Sequence, residues 1–378
     1  GVPNVLRSVL GDLELEKVPV ARRKERSNTK SLSAKDQFTA RFPHVNTEFF
    51  AAVTRSILKR MYPCFCPVCE KEMEGGVSTR ENVIRCLRCN YQTSRTAYTP
   101  LHHLKVPMWV FSYLLIEEVQ RFPQVMSAEE IRRKLGVSKS TSTLLKRRLQ
   151  LFLCSLQPRI RELLADEINK TCGNLELPET GDIRPFLGAR PVVSIDGHAL
   201  FSASARANGG RARWKHSGQT SSVYLTDEVA EEKGKYQIGT LCVTMAVKGG
   251  PILLESVPTF KQKHVQPVMD FLPERSVIMT DDGFPWLSRY RRNHRSVNHS
   301  ARAKDKKRNR WARNRWSRDG VHNNTAEATG RLIKYNFVAG YSYTSPEMSR
   351  MYLQEYSSLK AIRIYSLTGL VNVRRRVF

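Results

Sequence analysis

Two Cys-x-x-Cys pairs, Cys66-Pro-Val-Cys69 and Cys86-Leu-Arg-Cys89, constrain this chain more than any other feature. Each pair lets one tight turn aim two sulfurs at the same ion, and the second pair completes a tetrahedral shell. The polar, turn-rich spacer between them has the length found in zinc ribbons. Cys64 falls out of register with the first knuckle and reads as a bystander. His102 and His103 are alternative ligands, but four thiolates already suffice. A shell closed by sulfur leaves no position for substrate, so the spacing predicts a structural zinc.

The charge balance points to a partner. Lys and Arg number 62 against 35 Asp and Glu, a net charge of +27. Such an excess repels itself, and a polyanion relieves it most simply. Nucleic acid fits best. An anionic membrane fits less well, because no apolar run approaches the length of a membrane span. With 40% hydrophobic residues over 378 positions, the chain can build two or three globular units. No secretory leader is visible, so an intracellular place is expected, in the nucleoid-associated cytoplasm or the nucleus.

Residues 1–45 read as a basic N-terminal arm around Ala21-Arg-Arg-Lys-Glu-Arg. A helix over Thr47–Met61 and the ribbon fill 46–103. The region 104–171 is helical, and Ser127, Glu130 and Gly136 mark the start and stop of one helix. Ser138 begins a second helix, so the pair has helix-turn-helix layout. Ser138, Lys139, Ser140, Thr141 and Ser142 would face a DNA groove, with Lys146 beside them, while Leu144 and Leu145 pack inward. An ordinary helical hairpin has the same outline. Gly173, Pro178, Gly181, Pro185 and Gly188 suggest a linker at 172–190. Periodicity then turns strand-like over 191–195, 238–247, 251–257 and 276–280, with a helix at 263–272, all within a domain at 191–344. A C-terminal helix and basic tail occupy 345–378.

Acids punctuate this last domain. Asp196 follows the apolar run Val192-Val-Ser-Ile, Asp281 and Asp282 follow Val277-Ile-Met-Thr, and Glu327 lies early in a helix from Asn324. Any one of them alone reads as a turn residue or a cap. Together they give strand with Asp, two strands, helix, strand with Asp, helix with Glu, which is the element order of an RNase H-like core. The expected fold class is therefore α/β multidomain: a zinc ribbon and helix-turn-helix followed by an RNase H-like mixed sheet flanked by helices. Carboxylates converging from separate segments suit two Mg²⁺ ions, with Mn²⁺ able to substitute. Between Asp281 and Asp282 the strand end favours Asp281.

From Phe65 to Lys360 the chain resembles insertion-sequence DDE transposases with an N-terminal zinc ribbon, the group related to Merlin elements. The resemblance is carried by the ribbon with Thr93, Thr96, Thr99, Pro107 and Trp109, by Thr280-Asp281, and by Val297-Asn-His-Ser. His322-x-Asn-x-x-Glu327, Tyr343-x-Ser-Pro and Tyr352-Leu-Gln-Glu-Tyr complete it. It implies metal-dependent DNA cleavage and strand transfer, catalytic roles for Asp196, Asp281 and Glu327, and Lys334 against DNA. The implied partners are double-stranded terminal inverted repeats and target DNA, bound by a homodimer or larger assembly. Gly197 stands where that family often has a second acid. Ala328-Thr-Gly330 stands where it usually has a bulky aromatic.

Two further basic segments are candidate DNA contacts: Arg211 and Arg213 beside Trp214, and Arg308, Arg310 and Arg313 among Trp311 and Trp316. His299 and His322 are candidates to orient water or phosphate, and scaffold histidines fit equally. Two other classes share parts of this pattern. A transposase-derived DNA-binding protein without catalysis keeps the ribbon and helix pair. A junction-cleaving or RNase H-type nuclease keeps the acids.

Overall fold

The computed structural model describes residues 4–15, 33–77, 80–201, 239–297, 317–339 and 346–371. Two compact units divide the chain. The first takes Gly1–Phe122, Ala128–Phe152 and Tyr365–Phe378; the second takes Pro123–Ser127 and Leu153–Ile364. No helix among the described residues is long and apolar enough to cross a membrane.

The first unit contains helices α1 (Asn4–Leu10), α2 (Ala34–Ala40) and α3 (Thr47–Met61). Asn46 caps α3 by accepting a hydrogen bond from the Phe49 amide. Val53, Ile57 and Leu58 form its buried face. Helix α4 (Trp109–Arg121) packs on that face, and Thr54 Oγ1 donates to the Met108 carbonyl at 2.9 Å. The expected arm is partly folded. Phe38 and Phe42 of α2 and its exit pack against Trp109, and Trp109 Nε1 donates to Thr39 Oγ1 at 3.1 Å. An aromatic pair inside a basic segment escapes a charge-based reading.

Strands β1 (Gly75–Val77), β2 (Arg80–Arg85) and β3 (Gln92–Ser94) make a small antiparallel sheet in that order. Gly75 lies so close to β2 that a Cβ would stand 2.6 Å from the Arg85 carbonyl oxygen. Helix α5 (Ala128–Leu135) ends at Gly136, with φ +60°, and α6 (Lys139–Ser155) follows. Arg41 braces this turn by donating to the carbonyls of Leu135 and Gly136.

The second unit is built on five strands: β4 (Val192–Phe201), β5 (Gly239–Val247), β6 (Ile252–Val257), β7 (Val277–Thr280) and β8 (His294–Ser296). Their spatial order is β6-β5-β4-β7-β8. β4, β5 and β6 pair antiparallel, whereas β7 and β8 run parallel to β4. All four residues of β7 are buried, as an unbroken apolar run in a parallel strand requires. β8 is too short and polar to be recognised from its sequence.

Helices α7 (Gln157–Cys172), α8 (Arg184–Leu187), α9 (Gln262–Met269), α10 (Leu287–Tyr290), α11 (Asn324–Ala339) and α12 (Pro346–Val371) complete the described elements. Buried Glu255 of β6 accepts from Gln354 of α12 at 3.1 Å, and Arg161 of α7 donates to it as well. Ser366 interrupts α12 with φ 60° and ψ 168°.

The 172–190 segment falls inside the second unit and carries buried residues. Leu177 and Ile183 are buried with Val277, Met279, Val297 and Val321. Asn293 holds it in place, accepting from the Leu177 amide and donating to the Leu175 carbonyl. Its glycines and prolines serve turns over a core, a use that composition does not separate from a tether.

Candidate metal centres

The ribbon centre is assembled from two equivalent turns. Glu70 N–H donates to the Cys66 carbonyl at 2.8 Å, and Asn90 N–H to the Cys86 carbonyl at 2.9 Å. Glu70 and Asn90 both have positive φ, 55° and 62°, so each knuckle reverses just after its second cysteine. The sulfurs of Cys66, Cys69, Cys86 and Cys89 lie within 4.8 Å of one another, a group that can hold one zinc ion. Backbone amides of Cys89 and then Arg88 hold the Cys86 thiol down to about 6, while hydrogen bonding to Cys89 and then burial push Cys69 up to about 12, so the four sulfurs share protons unequally until a metal replaces them. Met73 and Ile84 back the cluster, and Cys64 packs against it from outside the four.

The carboxylates come from neighbouring elements of the larger sheet and its helix. Parallel pairing of β4 with β7 ends at Ile195 beside Thr280, and the next residues along the two chains are Asp196 and Asp281. Asp196 is not at a strand end as its sequence context suggests. β4 runs on through Phe201 because β5 continues to pair with it. Burial and then the charge of Asp281 push the Asp196 carboxyl up to about 7; Glu327 adds to this, while the Gly197 amide and Lys334 oppose it. The Gly197 amide donates to Asp196 Oδ1 at 2.8 Å.

Asp281 is half-buried and accepts from the Gly283 amide at 2.8 Å, whereas Asp282 is exposed. Glu327 is half-buried in the first turn of α11, seven residues before exposed Lys334 on the same helical face. Among the described residues only the cysteines draw three or more ligand atoms to within 4.8 Å of one another. The three acids share a field without gathering that tightly.

Gly197 and Gly330 each lie close against a ring from another part of the second unit. A Cβ at Gly197 would stand 3.0 Å from the ring of Phe260. A Cβ at Gly330 would stand 2.1 Å from His198 Cε1. His198 was not picked out from the sequence. Its position two residues after Asp196, on the same strand face, was the available signal.

On α6, Ser138 Oγ accepts from the Thr141 amide at 3.2 Å and shares a 2.9 Å hydrogen bond with Thr141 Oγ1. Ser138 and Lys139 are exposed, and Thr141 is half-exposed. Lys146 does not join them. It is buried and donates to Glu118 Oε1 of α4 at 2.5 Å, so its charge is taken. Ser142 is buried and Leu144 exposed, the reverse of the expected inward face; Leu145 is buried as expected. The misreading is a rotation of about one residue, or 100° of helix.

His322 is half-buried, and burial followed by the charge of Lys248 lowers its pKa. Arg211, Arg213, His299, Arg308, Arg310 and Arg313 lie outside the described residues. Compared with family models, curated proteins and solved structures, the chain matches none of them.

Proposed function

We propose that this chain is a DDE-type DNA transposase that binds the ends of its element and catalyses Mg²⁺-dependent strand cleavage and strand transfer. The observation that carries the reading is the meeting of Asp196, Asp281 and Glu327, from β4, β7 and α11, in one electrostatic field. The sheet supports it. Three antiparallel strands have two parallel strands added beside the first, and a helix packs the last acid's segment on that first strand, an order compatible with the RNase H-like core we infer.

The donor set fits hard divalent ions. Asp196, Asp281 and Glu327 would hold Mg²⁺ or Mn²⁺ through oxygen, and the raised Asp196 carboxyl belongs to a site whose negative charge a cation relieves. Bound there, the ions supply acidity to water and charge neutralisation to the leaving oxygen. The chain's own groups do the rest. The rigid strand fixes Asp196, the Gly197 amide orients its carboxylate, and Lys334 attracts a DNA phosphate to the rim. The exposed start of α6, with Ser138, Lys139 and Thr141, enters a DNA groove as a helix-turn-helix. The ribbon is structural, and two element ends call for at least a dimer. The place of action is wherever the genome lies, nucleoid or nucleus.

The test is cleavage and joining of duplex DNA taken from either side of the coding sequence, with Mg²⁺ or Mn²⁺. Intact chain and Asp196→Asn are compared. Cleavage and joining by the intact chain, absent from the variant, is the expected result. Identical products from both would sink the carboxylate assignment. Binding without cleavage by the intact chain would favour a transposase-derived DNA-binding protein.

A further inference from the structure

The carboxylate site has a neighbour that the motif does not include. His198 lies two residues beyond Asp196 on β4, so both side chains leave the same face of the sheet. His198 Nε2 stands 3.2 Å from the Ala326 carbonyl oxygen and 3.6 Å from Asp196 Oδ2. A carbonyl only accepts, so Nε2 carries the proton and donates it to Ala326, with the Asp196 carboxylate alongside. The same ring fills the space over Gly330, where an added Cβ would stand 2.1 to 2.5 Å from three of its atoms. One imidazole therefore touches α11 on the residue before Glu327 and three residues after it, while also reaching the Asp196 carboxylate.

We propose that His198 is a positioning residue, with Gly330 as its socket, that fixes the rotation of α11 on β4 and so the approach of Glu327 to Asp196. The proposal rests on reading those two acids as ligands of a divalent ion. Ala326, Thr329, Ile333, Asn336 and Phe337 form the buried side of α11, and Asn336 ties its far half by donating to the Pro123 carbonyl at 2.8 Å. In the first turns, beside Glu327, the apolar contacts are non-directional and set spacing more than rotation. A rotation of one residue is 100°, enough to carry Glu327 away from the strand. The hydrogen bond to Ala326 and the fit over Gly330 are directional. They also account for a glycine inside a helix, where alanine is favoured by about 1 kcal/mol.

Zinc-loaded full-length chain is titrated with Mn²⁺ by calorimetry, alongside His198→Ala, His198→Gln and Asp281→Asn. Gln keeps an N–H donor at the reach of Nε2. The expected result is a Kd for Mn²⁺ at least about tenfold weaker in His198→Ala, the range typical of lost outer-shell support, with His198→Gln within about threefold of the intact chain. Equal affinity in His198→Ala and the intact chain overturns the proposal, as does a weakening that Gln does not rescue.

If the intact chain binds no more Mn²⁺ than Asp281→Asn, the carboxylate reading fails instead. The socket is then decided by thermal melting. Gly330→Ala should lower the midpoint markedly in the intact chain and far less in the His198→Ala background. Equal drops in both backgrounds overturn it.

Discussion

Lys146 Nζ stands 2.5 Å from Glu118 Oε1, and both side chains are buried between α4 and α6. Breaking such a pair strands one charge in an apolar setting, which costs about 3–5 kcal/mol. Glu118→Ala and Lys146→Ala are each expected to destabilise the first unit by that amount in urea unfolding. Glu118→Leu with Lys146→Met should recover most of the loss. A double variant as unstable as either single change would show that the pair itself is needed.

The ribbon yields a stoichiometry. Intact chain should carry one zinc, and Cys66→Ser, Cys69→Ser, Cys86→Ser or Cys89→Ser should carry much less after dialysis. Cys64→Ser should keep its zinc, because Cys64 stands outside the group. Metal analysis decides it, and loss of zinc from the Cys64 variant would overturn the ligand set.

The two adjacent acids after β7 should separate in activity. Asp281 is half-buried and its charge reaches Asp196; Asp282 is exposed. Asp281→Asn is expected to cut DNA cleavage by at least about a hundredfold, as removal of a metal ligand does, while Asp282→Asn stays within about threefold. Rates under single-turnover conditions give the comparison, and the reverse order would move the site by one residue.

His294 gives a pH dependence. Its ring nitrogens face the hydroxyls of Thr280 at 2.8 Å and Ser288 at 3.0 Å. Burial, and then the charge of Arg295, holds its pKa down to about 4. In the unfolded chain it titrates near the ordinary histidine value of about 6.5. Between those values the unfolded state binds more protons. This part of the stability is complete above about pH 6.5 and is lost as the pH falls toward 4. The full swing is on the order of 3 kcal/mol. His294→Gln should flatten that part of the urea-unfolding profile, and comparison with the intact chain isolates it from Asp196, whose raised pKa works in the opposite sense.

On DNA, Lys139→Ala should weaken binding at the start of α6 and reduce the salt slope by about one counterion. The Glu118→Leu/Lys146→Met chain should keep the slope of the intact protein. Binding at several salt concentrations measures both. A lowered slope in the double variant would return Lys146 to the interface.

What the sequence exposed follows from what each pattern encodes. Cysteine spacing is a covalent ruler, so the cluster of Cys66, Cys69, Cys86 and Cys89 was legible residue by residue. The strands around Asp196 and Asp281 were legible because buried parallel strands are unbroken apolar runs. Asp196 in mid-strand was not, since where β4 ends depends on its partner β5. The face of α6 was misread at Lys146 because a lysine buried against Glu118 looks like any surface lysine until α4 is beside it. His198 and Gly330 belong to no periodicity. Their relationship exists only once a strand and a helix more than a hundred residues apart are in contact.

Phe260 over Gly197 sets a rule for how this chain can change. A side chain placed after Asp196 would press on the aromatic ring, which must give by a few tenths of an ångström to admit it. The room to carry a second acid at that position is therefore set by a residue more than sixty positions away, and an engineered Asp-Glu version is best built from a chain in which Phe260 has already been made small.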